Sequence, residues 1–140
     1  MRAFIDSSTL IKKYKIEPGR DRFLKILERV SEIAVSPVTY IEIFCSIQRN
    51  CVESHLKKED FLRIKEEIDS DFGYFYRIPL NEDMERMAFD LCQKYQLKSL
   101  DLIQISSAKI SQAKIFLTSD KLLHKIASQE LRNHEVEFVE

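Results

Sequence analysis

The chain has 140 residues, of which 44% are hydrophobic and 32% charged, and this composition excludes a disordered, collagen-like or linker-like chain. Its 22 Lys and Arg nearly balance its 23 Asp and Glu, so the net charge of -1 argues against broad electrostatic capture of nucleic acid or of an acidic membrane. The length predicts a single domain over residues 1–140, with a core that needs no disulfide.

The cysteines and the start of the chain predict a cytoplasmic protein. Cys45, Cys51 and Cys92 are odd in number and show no paired spacing, which indicates reduced thiols. No secretory signal is expected, because Asp6 ends the short apolar run of residues 3–5. No apolar run approaches the length of a membrane span, so we expect no membrane partner.

The first half of the chain predicts strands that alternate with helices. An apolar run at residues 2–5 predicts a strand, and the spacing of apolar residues over 7–14 predicts a helix. A second amphipathic helix is predicted over residues 20–31, followed by a strand at 32–36. Ser36 suits an N-cap and Pro37 a first helical position, so a third helix is predicted to begin there.

The second half repeats this alternation. A more exposed helix over 56–72 is predicted to end near Gly73, and the aromatic stretch 74–80 predicts a short strand. Asn81 and Ser99 are predicted N-caps of two further helices. A strand before Asp120, a helix over 121–128 and an alternating strand at 136–140 complete the pattern. The alternation predicts a three-layer α/β/α sandwich with a central, mostly parallel sheet.

Four acids lie where an open parallel sheet normally has its functional crevice, beyond the carboxyl ends of the strands. Asp6 ends the first strand, Asp120 follows a later strand, Glu42 lies on the helix after the second strand, and Asp101 lies in the first turn after Ser99. Gathered carboxylates repel one another and lose hydration, so they normally bind a cation. Hard oxygen ligands favour Mg²⁺ or Mn²⁺.

Each acid also has a structural explanation. Asp6, Asp101 and Asp120 suit helix N-termini, where a carboxylate caps free N–H groups and complements the helix dipole. Glu42 suits a capping box with Thr39. Nearby lysines are candidates to bind phosphates, although solvated side chains explain them equally: they are Lys12, Lys13, Lys98 and Lys121.

Four segments in this order resemble PIN-domain ribonucleases, and most of all the VapC-type toxins of bacteria and archaea. The segments are FIDSSTLIKKY, SPVTYIEIFCSI, LKSLDLIQISSAKI and IFLTSDKLL. The resemblance implies that the catalytic and metal-binding acids, some of them acting through water, are Asp6, Glu42, Asp101 and Asp120. It implies supporting hydroxyls on Ser8 and on Thr118 or Ser119. Gln104 is a departure, since many members of the family have His there.

What the resemblance implies is a Mg²⁺- or Mn²⁺-dependent endoribonuclease, the toxin of a type II toxin–antitoxin pair. It also implies an antitoxin partner and a homodimer, for which the helices predicted at 20–31 and 56–72 offer apolar surface. One alternative is a catalytically silent PIN-like module that binds RNA or protein. Another is a metal-dependent phosphohydrolase of small molecules, which normally needs a Gly-rich phosphate loop, whereas Gly19 and Gly73 are the only glycines.

Overall fold

Five short strands form one parallel sheet in the computed structural model, which describes residues 1–140. The central strand β1 (Arg2–Ile5) lies between β2 (Glu32–Val35) and β4 (Ile115–Thr118). The edge strands are β3 (Tyr76–Arg77), which pairs with β2, and β5 (Glu135–Phe138), which pairs with β4. The strand order is therefore β3-β2-β1-β4-β5, and the predicted parallel sheet is confirmed.

Helices connect the strands and cover both faces of the sheet. No helix is both long and apolar enough to span a membrane. A 3₁₀ turn at Ile11–Lys13 extends the first helix. The helices are α1 (Ser7–Leu10), α2 (Arg20–Leu27), α3 (Thr39–Ser54), α4 (Lys58–Phe72), α5 (Glu82–Lys94), α6 (Ser99–Ser111) and α7 (Lys121–Glu130).

Alternating side chains of the strands divide the core into two clusters, one on each face of the sheet. Ile5 and Val35 belong to the cluster covered by α1, α2, α3 and α4. Phe4 and Phe116 stack with ring centroids 5.7 Å apart in the other cluster, which α5, α6 and α7 cover. Because each face has its own layer of helices, the predicted three-layer sandwich is confirmed.

Helix starts differ from prediction at two of three predicted caps. Asn81 caps α5 as predicted, since its side chain accepts from the Met84 N–H at 3.1 Å. The prediction for Ser99 is wrong, because Ser99 is already helical and the N-cap is Lys98. The prediction for Ser36 is also wrong. Ser36 Oγ accepts from the N–H two residues on, at 3.2 Å, and forms a local turn that delays α3 to Thr39.

The predicted helix over 20–31 is shorter than expected, because α2 ends at Leu27. Its start depends on Gly19, whose φ of 87° lies in the left-handed region that disfavours any residue with a Cβ. A Cβ built on Gly19 would lie 2.4 Å from the backbone carbon of Glu140. Gly19 therefore permits both the turn into α2 and the close passage of the C-terminal residue.

We expect Gly19→Ala to lower the free energy of unfolding by about 1–3 kcal/mol, because alanine is strained in this conformation and overlaps Glu140. Urea unfolding measures the loss. The control is Gly73→Ala, since Gly73 has an ordinary helical φ of -64° and its Cβ would meet the Ser70 and Asp69 carbonyls at 3.3 and 3.8 Å. Equal losses in the two variants would contradict this account of Gly19.

Candidate active site

Parallel pairing brings the carboxyl ends of β1 and β4 side by side. Ile5 is in register with Leu117, and the Asp6 N–H continues the ladder by donating to the Leu117 carbonyl at 3.0 Å. Asp6 therefore lies beside Thr118, although 112 residues separate them in the chain. This edge of the sheet is where the sequence predicted the functional crevice.

Asp6 is an almost fully buried carboxylate, with 3% of its surface exposed. Ser8 Oγ and Thr118 Oγ1 both donate to its Oδ2, at 2.6 and 2.7 Å, and its Oδ1 accepts no hydrogen bond. Burial raises the pKa of Asp6 from 3.8 to about 6. The two hydroxyl groups lower the pKa and the charges of Glu42 and Asp120 raise it, but burial dominates. Asp6 occupies the N-cap position of α1 without a side-chain cap bond, so capping does not explain it.

Glu42 is held in a similar way, with one oxygen fixed and the other without a partner. Ser7 Oγ and Gln104 Nε2 each donate to Glu42 Oε1 at 2.8 Å, and Oε2 accepts no hydrogen bond. The predicted capping box with Thr39 is not formed, because Thr39 Oγ1 bonds to Ser36 Oγ instead. Sequence reasoning missed the roles of Ser7 and Gln104. The signals in the sequence were that each lies near a candidate acid and that Gln104 stands where many members of the family have His.

Asp120 and Asp101 both lie at helix N-termini, but only Asp120 caps its helix. Asp120 caps α7, since its Oδ1 accepts from the Leu123 N–H at 2.9 Å. Asp101 lies in the first turn of α6 and makes no side-chain cap bond. Burial raises the pKa of Asp101, the charges of Asp120 and Glu42 raise it further, and Lys98 lowers it. Capping thus explains one oxygen of Asp120 but not Asp101.

The four acids form one electrostatic cluster. Glu42 and Asp120 both act on Asp6, and the same two charges act on Asp101. None of the four forms a salt bridge, whereas other carboxylates of the chain do: the bridges include Arg2–Glu32, Lys13–Asp71 and Lys109–Glu130. Each of the four also keeps at least one oxygen without a hydrogen-bond donor. Such a cluster favours binding of a cation, which would supply the counter-charge.

The cluster fits the donor chemistry of a hard divalent cation, but it does not form a closed ligand cage. No three His, Cys, Asp or Glu side chains lie close enough together to bind one ion directly. The arrangement suits an ion that one or two carboxylates bind directly and the others bind through water, which is typical of Mg²⁺. Asp6, Glu42, Asp101 and Asp120 are the residues available to hold it.

The predicted supporting hydroxyls lie at different distances from the acids. Ser8 and Thr118 contact Asp6 directly. Ser119 contacts none of the acids through its side chain, since its Oγ bonds to Thr9 Oγ1 at 2.8 Å and donates to the Val139 carbonyl at 2.6 Å. Its N–H donates to Ser8 Oγ at 3.0 Å, so Ser119 acts on the site through Ser8.

The four candidate lysines fall into two pairs. Lys12 is 6% exposed and pairs with Glu17 at 3.4 Å, and Lys13 pairs with Asp71 at 2.5 Å. These two ammonium groups are thus engaged in ion pairs within the chain. Lys98 and Lys121 are exposed at the starts of α6 and α7, each close in sequence to an acid of the cluster.

The raised pKa of Asp6 predicts a loss of stability with rising pH. Between about pH 4 and pH 6 the folded chain retains a proton on Asp6 that the unfolded chain has lost, so the free energy of unfolding falls as the pH rises. A shift of this size corresponds to roughly 3 kcal/mol. We therefore expect Asp6→Asn, which cannot ionise, to gain about that much relative to the parent between pH 4 and pH 7.

Urea unfolding in EDTA at the two pH values measures this gain. Asp90→Asn is the control, because Asp90 is an exposed carboxylate on α5 without a salt bridge. If Asp6→Asn and the parent differ in free energy of unfolding by the same amount at pH 4 and at pH 7, burial does not raise the pKa of Asp6.

The cap at Asp120 predicts that Asn and Ala substitutions differ there and not at Asp101. Both substitutions remove the charge, but only Asn keeps an oxygen that can accept from the Leu123 N–H. We expect Asp120→Ala to be about 1 kcal/mol less stable than Asp120→Asn, and Asp101→Ala to match Asp101→Asn closely. Asp101→Asn should also melt no lower than the parent without metal, since it removes a repelling charge. Thermal melts in EDTA test both points. If the Asn and Ala variants differ in stability by the same amount at positions 120 and 101, the cap at Asp120 is contradicted.

Three of the solved structures that share this fold are toxin–antitoxin complexes, and their sequences are distant from this chain. One from Klebsiella pneumoniae is 19% identical, with a TM-score of 0.61 over 84% of this chain and 86% of that chain. VapBC2 from Rickettsia felis, bound to a DNA fragment from its promoter, is 15% identical, with a TM-score of 0.64 over 100% of both chains. VapBC-1 from nontypeable Haemophilus influenzae is 14% identical, with a TM-score of 0.63 over 99% of this chain and 98% of that chain.

At these identities the structures establish a shared fold only. No curated protein matches the chain in sequence. The family model of the PIN domain matches residues 3–129, which include all four acids of the cluster and the strands that position them. The chain therefore belongs to the PIN domain family.

Proposed function

We propose that this chain is a metal-dependent endoribonuclease, formed by one PIN-like domain over residues 1–140, and the toxin of a type II toxin–antitoxin pair. The observation that carries the proposal is the cluster of Asp6, Glu42, Asp101 and Asp120, whose charges have no salt-bridge partner. Carboxylates isolated on the surface are stabilised by water, and carboxylates with a structural role are stabilised by a salt bridge. A cluster that is neither suits a catalytic cation.

The cation is Mg²⁺ or Mn²⁺ in this proposal, held by the four acids with some contacts through water. When bound, such an ion makes a bound water a better nucleophile and offsets charge on a phosphodiester. Ser8 and Thr118 hold Asp6 by its Oδ2 and leave Oδ1 free for the ion. Burial keeps water away from the Asp6 carboxylate, so a bound cation stabilises its charge where hydration does not.

RNA is the proposed substrate, bound by lysines at the rim of the cluster. Lys98 and Lys121 are exposed beside Asp101 and Asp120, so they are the first candidates for phosphate contacts. Lys12 and Lys13 stay candidates only if their ion pairs open when RNA binds. The net charge of -1 supports modest, salt-sensitive affinity that depends on these local contacts.

An antitoxin protein and a second copy of the chain are the proposed partners, in the cytoplasm. The similar structures from three bacteria are toxin–antitoxin complexes. Large apolar side chains are exposed on the helices that the sequence singled out, with Leu24 on α2 and Leu62 on α4. Ile41 and Val52 on α3 add to this apolar surface, which supports contact with another protein.

We expect the purified protein to cleave RNA with Mg²⁺ or Mn²⁺ and to stop when EDTA is added. Removing one charge from the cluster should lower the rate by on the order of 100-fold or more, because each acid helps to hold the cation that would offset charge in the transition state. The variants are Asp6→Asn, Glu42→Gln, Asp101→Asn and Asp120→Asn, and Asp90→Asn is the control.

Cleavage of a labelled RNA under single-turnover conditions gives these rates. Full activity in EDTA, or an Asp6→Asn variant as active as the parent, would contradict the metal-nuclease proposal. Binding of RNA without cleavage under any metal condition would instead identify the catalytically silent module.

A further inference from the structure

We propose that Gln104 is a positioning residue, which fixes the Glu42 carboxylate so that Oε2 faces the acid cluster. The proposal deepens the proposed function and rests on it for the activity measurements, but not for the metal-binding measurement. Gln104 lies on α6 three residues after Asp101, one helical turn further into the protein. A single helix thus places one acid in the cluster and, behind it, an amide that holds a second acid.

The hydrogen bonds of Gln104 form a closed triangle with Ser7 and Glu42. Gln104 Nε2 donates to Glu42 Oε1 at 2.8 Å and to Ser7 Oγ at 2.9 Å. Ser7 Oγ donates its only proton to the same Glu42 Oε1 at 2.8 Å. Two donors thus converge on one carboxylate oxygen, and the contact between Gln104 and Ser7 holds the two donors together.

The orientation of the amide follows from the same contacts. Turning the amide over would place Gln104 Oε1 against the negative Glu42 oxygen, which is repulsive. In the observed orientation Oε1 is buried and has no hydrogen-bond partner, in a side chain that is 1% exposed. A buried carbonyl without a donor destabilises the fold, so an apolar side chain of the same length would suit packing better.

A neutral donor suits this position because it holds the charge of Glu42 without neutralising it. Glu42 is only partly buried, and the charges of Asp6 and Asp101 act against its own. Without Ser7 and Gln104, its flexible side chain would turn towards solvent and away from the other acids. A lysine or arginine would hold Glu42 in place, but it would supply the counter-charge that the cation supplies in the proposed function.

Gln104→Met tests the proposal, because methionine keeps the length of the side chain and removes both the donor and the unpartnered carbonyl. We expect the variant to melt at or above the temperature of the parent in EDTA. Its Kd for Mn²⁺ alone, measured from the electron paramagnetic resonance signal of free Mn²⁺, should rise about 10-fold. In RNA cleavage, kcat should fall while KM changes little, since no substrate contact is lost.

Ser106→Ala is the matched control, because Ser106 is a buried residue of the same helix whose hydroxyl also has no partner. We expect it to leave the Mn²⁺ Kd and kcat unchanged. In a Glu42→Gln background, Gln104→Met should have no further effect on the Mn²⁺ Kd, since Gln104 acts only through Glu42.

An unchanged Mn²⁺ Kd in Gln104→Met, or an equal loss with and without Glu42, would overturn the proposal. If Gln104→Met does not fold, Ser7→Ala replaces it, because this variant removes the other donor to the same oxygen. Ser7→Ala must then weaken Mn²⁺ binding by a similar factor, and an unchanged Kd overturns the proposal. A parent that binds Mn²⁺ but cleaves no RNA would contradict the proposed function, while the Mn²⁺ comparison would still decide the role of Gln104.

Discussion

The parallel pairing of β1 with a strand on each side is the constraint on which the rest of the structure depends. It makes β1 the central strand, so its carboxyl end meets those of β2 and β4 at one edge of the sheet. The residue after β1 is Asp6, which is therefore surrounded by protein on all sides except the edge. The other acids reach the same edge because α3, α6 and β4 all begin or end there.

Burial of the Asp6 charge then determines the chemistry around it. Its neighbours are hydroxyls, and no cation of the protein bonds to it. Glu130 shows the opposite arrangement. Burial raises the pKa of Glu130, but hydrogen bonds from Lys109, Tyr95 and Lys94 outweigh it and lower the pKa to about 2. The fold thus neutralises one enclosed carboxylate with its own lysines and gives the other no counter-charge of its own.

Neutral donors around the acid cluster share a common geometry. Asp6 and Glu42 each have one oxygen held by two donors and the other oxygen without a donor. Such bonds restrict the side chain and keep its negative charge, which is what an ion-binding carboxylate requires. The same geometry links the hydroxyls that the family resemblance implied, on Ser8 and Thr118, to Gln104, which sequence reasoning did not group with them.

The sequence by itself determined the strands, the parallel sheet and the placement of four acids beyond strand ends. These features depend on patterns within a few residues, such as the apolar run before Asp6 or the cap at Asn81, because local periodicity and backbone hydrogen bonding specify them. Even so, the predicted caps at Ser36 and Ser99 were wrong: a local turn delays α3 to Thr39, and α6 begins at Ser99 itself with Lys98 as its N-cap.

Only the tertiary structure decided how the site is held together. Glu42 is 35 residues from Ser7 and 62 from Gln104, and Gln104 is 97 residues from Ser7. Whether such side chains meet depends on how α3 and α6 rotate as they pack on the sheet, and that rotation is set by the whole core. The ion pair of Lys13 has the same origin, because its partner Asp71 is 58 residues away on α4, whereas Lys12 pairs with Glu17 only five residues along the chain.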